Sequence, residues 1–144
     1  MIKVFISVPM RNRKTEDIQY SIRKMKRIAR AYLAENDIEA DNIDFINTIV
    51  KDNPPKEVDE KIWYLGASLQ LLSKADYLIC PRNTYNNPGC TIEKETFVGY
   101  KGYDKVIAIN PEYIYTDDEL RSRYEVQECD CCKEDCDIIT PDNC

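Results

Sequence analysis

DYLICPRNTYNNPGCTIEKETFVGYKGYDKVIAI, residues 76–109, opens on an apolar run from Asp76 to Cys80 and crosses the polar loop PRNTYNNPG. It continues into CTIEKETFVGYKG, where a helix is predicted to begin near Gly89 or Cys90, and returns to an apolar β-branched run, KVIAI at 105–109. A strand, a loop, a helix and a second strand in so short a span form a βαβ unit, whose two strands run parallel. Toward the amino terminus the same alternation repeats. Ile62, Leu65, Leu69 and Leu72 recur at helical spacing and predict a helix ending near Lys74. Before it, KDNPPKE (51–57) is a loop, because two consecutive prolines continue neither a helix nor a strand. IDFINTIV (43–50) reads as a strand. From Thr15, a candidate helix cap, Ile18, Ile22, Met25, Ile28, Ala29, Tyr32 and Leu33 mark one face of a long helix. Ile2 to Ser7 is a β-branched and aromatic run, suited to a strand buried on both faces, and Pro9 ends it.

Strands that alternate with helices in this order predict an α/β domain with a parallel sheet and right-handed crossovers. In such sheets ligands sit beyond the carboxyl ends of the strands. Three loops are therefore expected at one site: Ser7 to Lys14, Asn47 to Glu57, and Pro81 to Gly89. Past Asn110 the pattern weakens to a short helix near Asp117 to Tyr124. The domain is expected to span 1–124, followed by an acidic, cysteine-rich tail over 125–144 with too few apolar residues for a core element.

With 43% hydrophobic and 32% charged residues the composition is globular, and no apolar run is long enough to span a bilayer. MIKVFISVPMRNRK reads as a first strand rather than an export signal, so a cytoplasmic protein without membrane association is expected. The net charge of −6 lies wholly in the tail: residues 1–124 carry 19 acidic and 19 basic side chains, residues 125–144 seven acidic ones and one lysine. A neutral body lacks the net basic face that displaces counterions from phosphate backbones, which argues against a nucleic-acid partner. Arg11, Arg13, Lys14, Arg23, Lys24, Lys26, Arg27 and Arg30 form a local basic stretch, read as a solvated helix face with some attraction for an anionic ligand. The absence of histidine excludes histidine-containing metal sites and Ser-His-Asp triads, and leaves carboxylates, tyrosine, lysine and cysteine for any chemistry.

Four constellations stand out. Asn86-Asn87-Pro88-Gly89-Cys90-Thr91-Ile92-Glu93 is a loop entering a helix: the glycine admits close approach of a ligand, free amides favour an anion, and Glu93 is expected near the first turn. An acidic residue there also complements the helix dipole, which needs no function. Ser7-Val8-Pro9-Met10-Arg11 follows the first strand, where α/β folds hold a phosphate or sugar; it also reads as a plain turn. Trp63 and Tyr64 open the second helix and offer a base-stacking surface, a core contact or a subunit interface. In the tail, Cys129, Cys131, Cys132 and Cys136 offer four thiolates for zinc but lack paired C-x2-C knuckles, so a reduced or redox-sensitive tail is expected and no metal. Cys80 reads as a buried apolar residue.

VFISVPMR, IWYLGASLQLLSKADYLI, NNPGCTIEKETFVGY and the KVIAI strand, in this order, resemble the small, often phage-encoded domains related to the nucleoside 2-deoxyribosyltransferases, over about residues 2–110. The resemblance implies a flavodoxin- or Rossmann-like three-layer sandwich with a four- or five-stranded parallel sheet. It implies a nucleoside or nucleotide ligand, no cofactor, and frequent homo-oligomers. It also implies that Glu93, four residues after Gly89, attacks the anomeric carbon and leaves a glycosyl ester. Ser7, Pro9, Met10 and Arg11 then line the sugar and phosphate pocket, with Asn86, Asn87, Gly89 and Thr91 beside it. Relatives carry aspartates just before the loop glycine, whereas this chain has Asn86 and Asn87, whose amides take no proton at neutral pH. Deoxyribosyl transfer or hydrolysis is therefore expected, with a non-catalytic module that captures an NAD-derived or cyclic nucleotide messenger as the competing expectation.

Overall fold

A computed structural model describes residues 1–84 and 86–122. Met1–Ile114 forms one compact unit and Tyr115–Cys144 another. The first is an α/β Rossmann-like sandwich built on a four-stranded, all-parallel sheet: β1 (Ile2–Ile6), α1 (Thr15–Glu35), β2 (Ile43–Phe45), α2 (Glu60–Leu72), β3 (Tyr77–Pro81), α3 (Pro88–Lys101) and β4 (Val106–Ile109). The strand order is β2-β1-β3-β4, with Val4 opposite both Phe45 and Tyr77 and Ile79 opposite Ile107. The chain moves one way from β1 to β2 and the other way from β3 to β4, so the order reverses between β1 and β3. Loops leaving these two strands diverge there and open a crevice.

Val4, Phe5 and Ile6 of β1 and all of β3 are buried, as parallel strands covered by helices on both faces must be. Alternation divides them. Phe5, Leu78 and Cys80 join Leu72, Ala75 and Phe97 in the cluster beneath α2 and α3. Val4, Ile6 and Ile79 face the other way, toward α1, whose Ser21, Met25, Ala29 and Leu33 form a narrow buried seam at i+4 spacing. Lys101, near the end of α3, donates to the carbonyls of Ser73 and Ala75 just past α2. Gly102 ends α3 at φ +89°, a conformation in which a side chain would also press on Asp104, 3.0 Å from the Cβ position.

Four boundaries differ from expectation, each for a local reason. β2 covers Ile43–Phe45 rather than 43–50, because the Asn47 side chain accepts from the Ile49 amide (3.0 Å) and turns the backbone out of the sheet. Thr15 is the first residue of α1 and not its cap; Lys14 holds that position, and its carbonyl accepts from the amides of Asp17 and Ile18. α3 starts at Pro88, since proline's missing N–H is one the first turn never uses. β3 runs on to Pro81, pairing with Ile109 on the β4 side. On the β1 side the ladder reaches the Ser7 amide, which donates to the Ile79 carbonyl at 2.9 Å. The next donor would be residue 81, a proline; the Ser7 carbonyl instead accepts from the Cys90 thiol at 3.8 Å. The sheet is thus unzipped at its switch point.

In the second unit Thr116 and Glu119 cap a short helix over residues 117–122 through reciprocal 3.2 Å bonds between each side chain and the other's amide. The expected boundary at 124 and the cysteines at 129, 131, 132 and 136 lie outside the described residues. No helix among the described residues is long and apolar enough to cross a membrane.

Candidate functional site

Beyond the carboxyl ends of β1 and β3 lies a cleft of about 670 Å³. Its walls come from the β1–α1 loop and first turns of α1, from residues 48–50 after β2, from one face of α2, and from the start of α3. At its floor sits Glu93. Only 8% of this residue is exposed, yet it lines the cleft. Its Oε1 accepts from the Ser7 hydroxyl at 2.8 Å and its Oε2 from the Ser68 hydroxyl at 2.6 Å. Burial raises the Glu93 carboxyl above the ordinary carboxylate range, and the bonds from Ser68 and then Ser7 oppose that rise. Among the described residues that line the cleft, Glu93 is the sole carboxylate.

Glu93 is the sixth residue of α3, in its second turn, so it does not serve the helix dipole as a first-turn acid would. It turns inward, toward the sheet edge, where the backbone of Ser7 is pinned to β3. Its hydroxyl-bearing partners are therefore fixed by two separate elements. Cys90, one turn earlier and 4% exposed, borders the same space. Burial pushes its thiol up to about 12 and that of Cys80 up to about 11. Neither is a thiolate nucleophile near neutral pH.

Of the residues expected here, Met10, Arg11, Asn87 and Gly89 line the cleft together with Glu93. Apart from its chain neighbours and the adjoining backbone of α3, no protein atom lies within 4 Å of the Cβ position at Gly89, so a side chain there would take room from the cleft rather than clash with the fold. Ser7 stands behind the wall, bonded to Glu93. Pro9 is buried and contributes its carbonyl, which accepts from Arg13 Nη1 at 2.8 Å. Asn86 and Thr91 lie off the cleft; the Thr91 hydroxyl holds the loop by donating to the carbonyls of Thr84 (2.8 Å) and Asn87 (3.2 Å). Trp63 is also displaced. It packs edge-on against Tyr64, with ring centroids 5.2 Å apart, and Tyr64 is the aromatic residue that borders the cleft.

Ser68, Lys61, Leu65, Ile18, Gln19 and Ile22 were not expected at the site, whereas Thr48, Ile49 and Val50 belong to the loop over 47–57 that was. Lys61, Tyr64, Leu65 and Ser68 follow i, i+3, i+4, i+7 and so share one face of α2, a stripe distinct from Leu69 and Leu72 in the core. A single polar residue such as Ser68 on an amphipathic helix gives no signal of its own until the position of its face is known. Ile18 and Ile22 read as core residues because the helical period is blind to whether its apolar face meets protein or a cleft. Arg11 and Lys61 are the only cations on the lining, and neither forms an ion pair or hydrogen bond among the described residues. Arg13, by contrast, is turned into the fold, donating to Pro9, Asp17 and Ser21. No group of three or more potential metal ligands occurs among the described residues. Comparison with family models, with curated proteins and with solved structures returns no match.

Proposed function

We propose that the cleft binds a nucleoside or nucleotide and that Glu93 cleaves its N-glycosidic bond, passing the sugar to another base or to water. The observation that carries this is a buried carboxylate, held at both oxygens by serine hydroxyls, on the floor of an open cleft of about 670 Å³. That volume falls within the range of small-molecule sites. Ile18, Ile22, Leu65 and Tyr64 supply a surface for a base, and Arg11 with Lys61 supplies charge for a phosphate. The sequence resemblance to nucleoside 2-deoxyribosyltransferase-like domains supports the same chemistry. A Glu93 oxygen bonds to the anomeric carbon as the carbon–nitrogen bond breaks and its electron pair leaves with the base, which takes a proton from water; hydroxide then cleaves the ester and restores the carboxylate.

One observation favours a second reading. No other carboxylate among the described residues lines the cleft to protonate a departing base, and the lining carries Asn87, whose amide takes no proton at neutral pH. A module that captures an NAD-derived or cyclic nucleotide messenger without reacting fits that deficit.

The test is base release from a panel of deoxyribo- and ribonucleosides and their 5′-monophosphates, alongside calorimetry with the same panel and with cyclic nucleotides. Turnover that falls at least about a thousandfold in Glu93→Gln supports the glycosidase. Tight binding with no base release in the wild type overturns it in favour of the capture module. The exposed Val58, Ile62 and Tyr64 support self-association in the cytoplasm, which sedimentation equilibrium tests directly.

A further inference from the structure

The two serines that hold Glu93 are not equivalent. Ser7 is 1% exposed, does not line the cleft, and has its backbone tied into the sheet through the Ile79 carbonyl. Nothing that enters the cleft reaches its hydroxyl. Ser68 is half-buried, lines the cleft, and sits within α2, where a serine hydroxyl rotates freely between acceptors, including the carbonyl four residues back in its own helix. Glu93 Oε2 is therefore the oxygen whose partner a ligand is able to replace, and Oε1 the oxygen whose partner it is not.

We propose that Ser68 is the residue that reads the ligand: on binding, its hydroxyl turns from Glu93 Oε2 to an oxygen of the sugar, freeing Oε2 to be the reacting atom while Ser7 keeps hold of Oε1. This rests on the nucleotide reading of the cleft and adds which oxygen reacts, which serine touches substrate and which is a positioning residue. No proton changes owner at either serine. The hydroxyl of Ser68 exchanges one acceptor for another, and the carboxylate gains the electron-rich, unbonded oxygen that attack on the anomeric carbon requires.

The division has a pH signature. A hydroxyl donating to a carboxylate favours its charged form, so deleting the donor raises the pH at which Glu93 ionises. The charged and titratable groups that share the cleft lining with it are Arg11 of the β1–α1 segment, Cys90 of α3, and Lys61 and Tyr64 of α2, and Cys80 of β3 lies close enough to feel its charge. Burial keeps both thiols protonated in the acid range.

The experiment compares Ser7→Ala and Ser68→Ala with the wild type by two pH profiles. The acid limb of kcat/KM reports the free protein and that of kcat the complex. The same two states are also followed by the carboxyl ¹³C shift of glutamate-labelled protein, alone and saturated with a 2′-deoxynucleoside 5′-monophosphate, so that turnover is not required. In the free protein both substitutions move the Glu93 titration to higher pH. In the complex only Ser7→Ala does, and Ser68→Ala instead weakens the nucleotide about tenfold, the loss of one good hydrogen bond. Equal shifts for both variants in the complex, or a Ser68→Ala affinity equal to wild type, overturn this inference while leaving the nucleotide reading intact. Failure of every member of the panel to bind the folded wild type overturns the nucleotide reading itself, and this one with it.

Discussion

Glu93 pays for its place in the cleft with stability, and the sign of that penalty is measurable. A carboxyl whose ionisation is raised by burial stabilises the fold in its neutral form. That stabilisation is fully present below the unfolded value of about 4.3 and is lost as pH rises through the higher folded value. Above that folded value the protein carries a desolvated charge that the bonds from Ser68 and Ser7 offset only in part. Glu93→Gln removes the charge and keeps an oxygen able to accept from one serine. It is expected to raise Tm near pH 7.5 by about 3 °C, the response of a domain this size to ~1 kcal/mol, and to lose that advantage near pH 4. Thermal unfolding at both pH values checks it. An advantage independent of pH would mean that shape and not charge governs the site.

α2 carries three of the cleft's side chains that matter most, Lys61, Tyr64 and Ser68, and its start is fixed by Asp59, whose Oδ1 accepts from the Ile62 amide at 3.0 Å. Asp59→Ala leaves that amide without its partner and is expected to cost about 1 kcal/mol. Chemical denaturation reads this as a lower midpoint at unchanged slope; a changed slope would mean that more than the helix start is lost. How far elements of this kind were legible in the sequence depended on what sets them. The order of strands and helices followed from period and proline, because burial on both faces leaves the central strands apolar except at Lys3, which is exposed near the start of β1. The truncation of β2 at Phe45 was hidden, since Ile46, Ile49 and Val50 look like strand residues and only the Asn47 side chain decides otherwise. At the site, Glu93 and its loop were visible as a motif; Ser68 was not, because one polar residue on an amphipathic helix has no reading until the position of its face is known. Trp63 and Tyr64 illustrate the same limit: adjacent residues point about 100° apart on a helix, and only the fold chooses between them.

Across the chain as a whole, the net charge and the cations of the cleft fall in different parts of the sequence. The net −6 resides in residues 125–144, while among the described residues the cleft has two cations without an ion pair on its lining against one buried carboxylate. An anionic ligand thus meets a local field opposite in sign to that of the molecule. Arg11 and Lys61 are both exposed, so their attraction is subject to screening, unlike the buried contacts at Glu93. Raising ionic strength from about 0.02 to 0.3 M, which contracts the Debye length from roughly 20 to 6 Å, is expected to weaken a nucleoside 5′-monophosphate several-fold and to leave the matching nucleoside almost unchanged. Lys61→Met should lower the monophosphate's affinity at low salt and flatten its salt dependence without altering nucleoside binding. Calorimetric titrations of both ligands at the two salt concentrations decide the matter. If the nucleoside proves as salt-sensitive as the nucleotide, the two cations do not address a phosphate, and the cleft's preference has to be sought in the sugar and base alone.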